Sequence, residues 1–276
     1  MSFIEHNTDG LVYMTAGCIE AAHAFTTRFG GASKGIYSSL NLGLSLGDEG
    51  SDVTENYSRI CGVLGTTPAD IVCSVQIHGA KVRVVTCTDR GTLNKQQPEA
   101  DAMITREAGI ALTVFTADCV PILLHDPVLG VIGTVHAGWR GTVAGVAAGT
   151  VRAMTAEFGC DPRNIAAAIG PSISRCCYRT GKDVVGAMRE ILGDSVSHCI
   201  EPCGKQGNVL SDDETDTKCN EEYLVDLKEA NRLLLSEAGV ISIGISDECC
   251  ACRSDKYWSH RKTGGLRGSQ AAIIVL

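Results

Sequence analysis

The sequence predicts an α+β fold, a single-domain layered sandwich of mixed β-sheets flanked by helices. Three observations carry this expectation. Short apolar runs rich in β-branched residues recur along the chain. Helical patterns separate some of them, but without the regular alternation of a doubly wound sheet. No G-x-G-x-x-G follows a strand and no Walker A sequence is present, so the standard nucleotide-phosphate loops are absent.

The strand runs are Ala22–Thr27, Ile71–Val75, Lys81–Thr86, Ile110–Thr116, Pro121–His125, Gly130–His136, Ile165–Ile169, Val240–Ile245 and Ala271–Leu276. A first helix is predicted over Asp52–Leu64, with Ser51 and Asp52 as caps and Glu55 three residues after Asp52. An Ala-rich helix is predicted over Arg140–Phe158 and a shorter one over Lys182–Leu192. The last spans Tyr223–Ala238, where Leu224, Leu227, Leu234, Leu235 and Ala238 share a face before Gly239. Arg28–Gly50, Asp89–Glu99 and Glu201–Asn220 read as loops, the third an exposed acidic excursion. No fixed-period repeat or low-complexity linker divides the chain, whose length suits one large domain or two small ones; one domain over residues 1–276 is the expectation.

Composition narrows the function classes. The 276 residues carry 24 Lys+Arg against 32 Asp+Glu, a net charge of −8, and 44% are hydrophobic. That hydrophobic share excludes wholesale disorder. The acidic balance offers no basic face for nucleic acid and argues against docking on anionic membranes. The apolar stretches are broken by Asp118 and Asp126, short of the roughly 20 residues of a spanning helix. Met1-Ser-Phe-Ile-Glu-His6 lacks a basic region followed by an apolar one, so a cytoplasmic location with reduced thiols is expected. Against that background the 14 cysteines are by default packing residues.

Three segments set a His or Cys at the end of an apolar strand, where a rigid scaffold presents reactive groups. They are Gln76-Ile-His78-Gly79, Thr116-Ala-Asp118-Cys119-Val-Pro121 and His136-Ala-Gly138-Trp139-Arg140-Gly141. His78, Cys119 and His136 together suit zinc, with a fourth position open. The same residues suit thiol catalysis, with Cys119 as nucleophile activated by a His. Residue types alone leave both open, and a hydrogen-bonded core His is the plainer reading for either imidazole. Asp118 sits next to Cys119 as an orienting group or a turn cap. Arg28, in Thr27-Arg28-Phe29-Gly30-Gly31, and Arg140, opening a helix, are candidate anion forks, with a solvated surface as the plainer reading. Trp139 is a candidate stacking platform or a core aromatic.

These motifs resemble the multicopper polyphenol oxidoreductase (laccase-domain) family, also called the YfiH/LACC family of purine nucleoside phosphorylases or the peptidoglycan editing factor family. The resemblance continues through Ala100-Asp101-Ala102, His125-Asp126-Pro127, Ala168-Ile-Gly-Pro171, Cys176-Cys177-Tyr178, Asp226-Leu227, Asn231-Arg232, Cys249-x-x-Cys252, Ser259-His-Arg261 and Ser39-Leu-Asn41-Leu-Gly43. It implies zinc on His78, Cys119 and His136, with copper implied by the older laccase label. It implies phosphorolysis of adenosine, inosine and methylthioadenosine, with adenosine deamination in the same pocket. Asp118 or Asp101 is the expected proton-transfer group, and Arg28, Asn41 and Arg140 are expected to bind substrate and phosphate. Partners are then small molecules, and the family implies a monomer or weak homodimer. A peptidoglycan-precursor amidase using Cys119 and a copper phenol oxidase are the alternatives. The chain departs from the family pattern at Asn56-Tyr57 and at Gly268-Ser269, where an Arg often stands, with Arg267 shifted. Cys176, Cys177, Cys249 and Cys252 read as buried thiols or, more sharply, as a second metal site.

Overall fold

The computed structural model describes residues 2–91, 93, 97–203 and 222–276. In chain order the strands are β1 (Phe3–Thr8), β2 (Leu11–Ala16), β3 (Ala22–Thr26), β4 (Ile71–Val72), β5 (Val82–Val84), β6 (Ala102–Thr105), β7 (Ala111–Thr116) and β8 (Val120–Asp126). There follow β9 (Val131–Ala137), β10 (Ala166–Ile169), β11 (Arg179–Thr180), β12 (Ile200–Pro202), β13 (Tyr223–Val225), β14 (Ser242–Ile245) and β15 (Gln270–Val275). The helices are α1 (Gly50–Val63), α2 (Trp139–Val143), α3 (Val146–Phe158), α4 (Lys182–Leu192), α5 (Leu227–Glu237) and α6 (His260–Thr263). None is long and apolar enough to cross a membrane among the described residues.

Two mixed six-stranded sheets, β1-β2-β3-β15-β7-β4 and β14-β10-β8-β9-β6-β5, form the centre, with a small sheet β11-β13-β12 beside them. The fold is α+β, as the sequence predicts. Side chains alternate across the central strands β8, β9, β10 and β15 and find apolar cover on both faces. In β15, Ala272 and Ile274 meet Leu123 and Ile132 of the second sheet. Ala271 and Ile273 point the other way, into a core with Val53, Tyr57 and Ile60 of α1. In β8, Ile122 and Leu124 pack with Val151 and Met154 of α3 and with Leu234 and Leu235 of α5. The layers are therefore α1, first sheet, second sheet, then α3, α4 and α5. Burial on both faces is why these strands read as continuous apolar runs without polar alternation.

The differences from the expected elements have local causes. The helix predicted over Arg140–Phe158 is two, because Gly145 adopts a left-handed conformation (φ 71°) between α2 and α3. The helix predicted from Tyr223 starts at Leu227 instead. Asp226 caps it by accepting the Glu229 N–H, and Tyr223–Val225 pairs as β13 with β11 and β12. The β1–β2 hairpin was not among the expected strands, although Asp9-Gly10 is a hairpin signal and both residues have positive φ, 51° and 87°. Strand β6 was also unexpected. Of the expected acidic excursion Glu201–Asn220, residues 204–220 lie outside the described residues, and Glu201 and Pro202 belong to strand β12.

Candidate metal centre and its cavity

Strands β8 and β9 pair antiparallel, with Val120 opposite Ala137 and Pro121 opposite His136. Cys119, just ahead of β8, therefore lies beside Gly138, just past β9. A Cβ on Gly138 would stand 3.1 Å from Cys119 Sγ and 2.9 Å from His78 Cδ2. Glycine is what leaves room for the two side chains to meet.

His78 arrives from the segment after β4 with left-handed backbone, φ 59°. For a residue with a side chain that costs about 1–3 kcal/mol. Asp101, fully buried just before β6, offsets it. Its carboxylate accepts the N–H groups of Ile77 (3.2 Å), His78 (2.9 Å) and Gly79 (2.7 Å). It also accepts from His136 Nδ1 at 2.9 Å. One carboxylate thus fixes the backbone of one imidazole and the ring orientation of the other, leaving His136 Nε2 for the site.

Cys119 Sγ lies 3.9 Å from His78 Nε2, and the donor atoms of His78, Cys119 and His136 all fall within 4.8 Å of one another. The two imidazoles meet edge to face, centroids 4.9 Å apart. Burial disfavours charge on Cys119, but His136 and His78 outweigh it and lower the thiol to about 6. Burial likewise opposes charge on His136, but Asp101 and the Cys119 thiolate raise it to about 9. A thiolate beside an oriented imidazole is a donor set that fits zinc, with three protein ligands and a fourth position left open. The same geometry fits a thiol nucleophile with a His–Asp pair behind it.

The three side chains open into a cavity of about 540 Å³, within the range of small-molecule sites. Its lining includes the apolar Leu44, Leu46, Val75 and Phe115, the polar Ser74 and Gln76, and one cation, Arg267. Gln76 is clamped to Phe115, donating to its carbonyl (2.8 Å) and accepting its N–H (2.7 Å).

The other sequence candidates lie elsewhere. Asp118 does not line the cavity; its Oδ2 accepts the Arg261 N–H at 2.6 Å, and its backbone is left-handed at φ 95°. Arg28 stacks over Trp258 at 4.0 Å and donates to the carbonyls of Ser38 and Ser254. Arg140 lies over its neighbour Trp139 at 4.4 Å, and Trp139 packs on the helical core. Asn41 is buried and accepts the N–H groups of Gly43 and Ser269, both at the cavity wall. Gly-rich neighbours and a Trp are local signals, and they mark Arg28, Arg140 and Trp139, none of which lines the cavity. The cation and the aromatic that do line it are Arg267, just ahead of β15, and Phe115, in β7. Arg267 Nη1 donates to Gly268 O (3.1 Å) and Ser269 Oγ (2.8 Å), and its buried Nε has no partner among the described residues.

A family model described as multi-copper polyphenol oxidoreductase laccase matches residues 22–276. A Geobacillus stearothermophilus protein named purine nucleoside phosphorylase YlmD is 38% identical over 260 residues, covering 92% of this chain and 89% of its own. A Deinococcus radiodurans protein named purine nucleoside phosphorylase is 36% identical over 271 residues, covering 97% of this chain and 94% of its own. The crystal structure of YlmD from Geobacillus stearothermophilus matches with a TM-score of 0.85 at 35% identity over 99% of both chains. This chain belongs to the multi-copper polyphenol oxidoreductase laccase family.

Proposed function

We propose that the chain is a zinc-dependent purine nucleoside phosphorylase acting on adenosine, inosine and methylthioadenosine, with adenosine deamination in the same cavity. One observation carries the reading: His78, Cys119 and His136 converge on a cavity that also holds an apolar wall and a cation. The names of the relatives support the purine nucleoside phosphorylase part of it.

The chain's own residues have distinct tasks. Phe115, Leu44 and Leu46 exclude water and cover a planar base. Arg267 supplies positive charge for phosphate, which attacks the sugar carbon as the glycosidic bond loosens toward an oxocarbenium-like state. Asp101 holds the Nδ1 proton of His136, so that Nε2 stays a donor toward the site. Zinc, when bound by His78, Cys119 and His136, supplies Lewis-acid polarisation and makes water more acidic, the requirement for deamination.

The decisive experiment incubates the metal-loaded protein with adenosine or inosine, with and without phosphate. Free base formed only with phosphate supports phosphorolysis, and inosine formed from adenosine supports deamination. Neither product from the wild type removes the proposal. The lowered Cys119 thiol backed by His136 and Asp101 favours a second reading, a Cys119-nucleophile amidase. That reading requires hydrolysis of a peptide-like amide that survives complete chelation of metal. The copper phenol oxidase is disfavoured by the donor set, because among the described residues no Met lines the cavity to serve as a weak axial ligand.

A further inference from the structure

Strands β10 and β14 are parallel neighbours, so the segments that follow them leave the same end of the sheet. The first carries Cys176 and Cys177, the second Cys249 and Cys252. The backbones lock together where Cys250 N–H donates to Ser172 O at 3.0 Å and Ser172 bridges Cys249. All four sulfurs then lie within 4.8 Å of one another. Cys252 Sγ is 3.4 Å from Cys177 Sγ and 3.5 Å from Cys176 Sγ, and Cys176 and Cys177 are 3.8 Å apart.

These spacings discriminate between outcomes. A disulfide needs sulfurs about 2.05 Å apart, and all four thiols are free. A tetrahedral zinc with Zn–S of about 2.3 Å sets its sulfurs roughly 3.8 Å apart. The three spacings among Cys176, Cys177 and Cys252 sit near the second value, and Cys249 Sγ lies within 4.8 Å of each. Local packing is thin, since the hydrophobic cluster here is only Ile173, Cys249 and Ala251, with Cys177 and Tyr178 beside it. An all-sulfur donor set selects a thiophilic ion over hard cations.

We propose that Cys176, Cys177, Cys249 and Cys252 form a second metal site, which takes one zinc ion in a closed shell of four thiolates. Binding displaces the protons of whichever thiols still carry them and leaves a centre of net charge −2. The site has no open position, and its role is to clip two segments together. The clip adjoins the cavity centre through Arg261. The Arg261 guanidinium donates to Arg179 O at 3.0 Å and Cys177 O at 3.5 Å, while its backbone N–H holds Asp118, the neighbour of Cys119.

The test counts metal in full-length protein purified without chelator from zinc-replete cells. Wild type is expected to hold two zinc ions per chain. His78→Ala/Cys119→Ser is expected to keep one, and Cys176→Ser/Cys252→Ser to keep the other. After exchange with cobalt, the thiolate-to-cobalt charge-transfer band should persist in His78→Ala/Cys119→Ser at nearly full intensity. No zinc in His78→Ala/Cys119→Ser overturns the proposal without reference to the folding of the quartet variant, whereas a single wild-type zinc that persists in His78→Ala/Cys119→Ser upholds it and counts against the cavity site instead. Copper in place of zinc at the quartet, or a disulfide recovered among the four thiols under anaerobic lysis, also overturns it.

Discussion

Replacing Gly138 by alanine isolates the geometry of the proposed metal centre from the stability of the fold. The Gly138 backbone (φ −70°, ψ 173°) is one that alanine adopts freely. The substitution therefore carries no backbone strain, and it lowers unfolded-state entropy by about 0.4–1 kcal/mol. The added methyl, however, stands 2.9 Å from His78 Cδ2 and 3.1 Å from Cys119 Sγ. Ordinary contact begins near about 3.5 Å. One or both side chains must retreat by roughly 0.4–0.6 Å, while a metal site tolerates about ±0.2 Å. Zinc affinity is expected to fall on the order of 10–100-fold, the scale of disturbed outer-shell partners. Thermal unfolding of the metal-free protein should shift little. Affinity is read by competition with a chromophoric chelator, and nucleoside turnover is read in parallel. Wild-type affinity together with wild-type turnover would refute the reasoning, as would a metal-free variant that no longer folds.

Four further outcomes follow from the same contacts. Asp101→Asn keeps the shape but leaves at least one of the four donors to the buried carboxylate badly paired, costing about 1–3 kcal/mol in denaturant unfolding and weakening zinc binding; an unchanged midpoint counts against the role of Asp101. Arg267→Ala should raise the KM for phosphate about tenfold or more, the worth of a charged hydrogen bond, whereas Arg140→Ala should not; equal effects would remove Arg267 from the phosphate site. His23 accepts the Ala16 N–H at 2.8 Å through Nε2, and burial lowers its pKa. The neutral form is the folded one, so its stabilisation is complete above the unfolded pKa near about 6.5 and is lost as pH falls below it. His125 is lowered by burial in the same direction. The unfolding temperature should drop between pH 7 and pH 5, less steeply in His23→Gln, and equal slopes in the two proteins would be contrary evidence. Gly170→Ala would drive a Cβ to 2.2 Å from the Phe25 ring, and soluble protein of wild-type stability would contradict that packing.

The fold class was legible because both faces of the central strands are covered, so apolar runs stand out from the polar turns. The donors were legible for a related reason: His78, Cys119 and His136 interrupt or end those runs. What escaped was whatever depends on two distant segments meeting. Gly138 matters because of the β8–β9 register, and nothing local in Ala137-Gly138-Trp139 reveals it. Asp101 reads as a carboxylate near a strand, yet its task is to bind three amides 22 to 24 residues away. Arg28 and Arg140 carry the local marks of an anion site, but each is engaged by a Trp. The break at Gly145 and the cap at Asp226 were visible in principle, and helical periodicity ran over both.

The convergence of four donors on Asp101 also bears on moving this chemistry elsewhere. A scaffold given only the two imidazoles and the thiol would inherit ligands without the means to aim them. One histidine would relax from its left-handed backbone, and the other would turn freely about its ring axis. The smallest portable unit is five residues: the three donors, the buried carboxylate that sets two of them, and the glycine that lets them touch. A designer, or natural selection working on a gene duplicate, would have to transfer all five together.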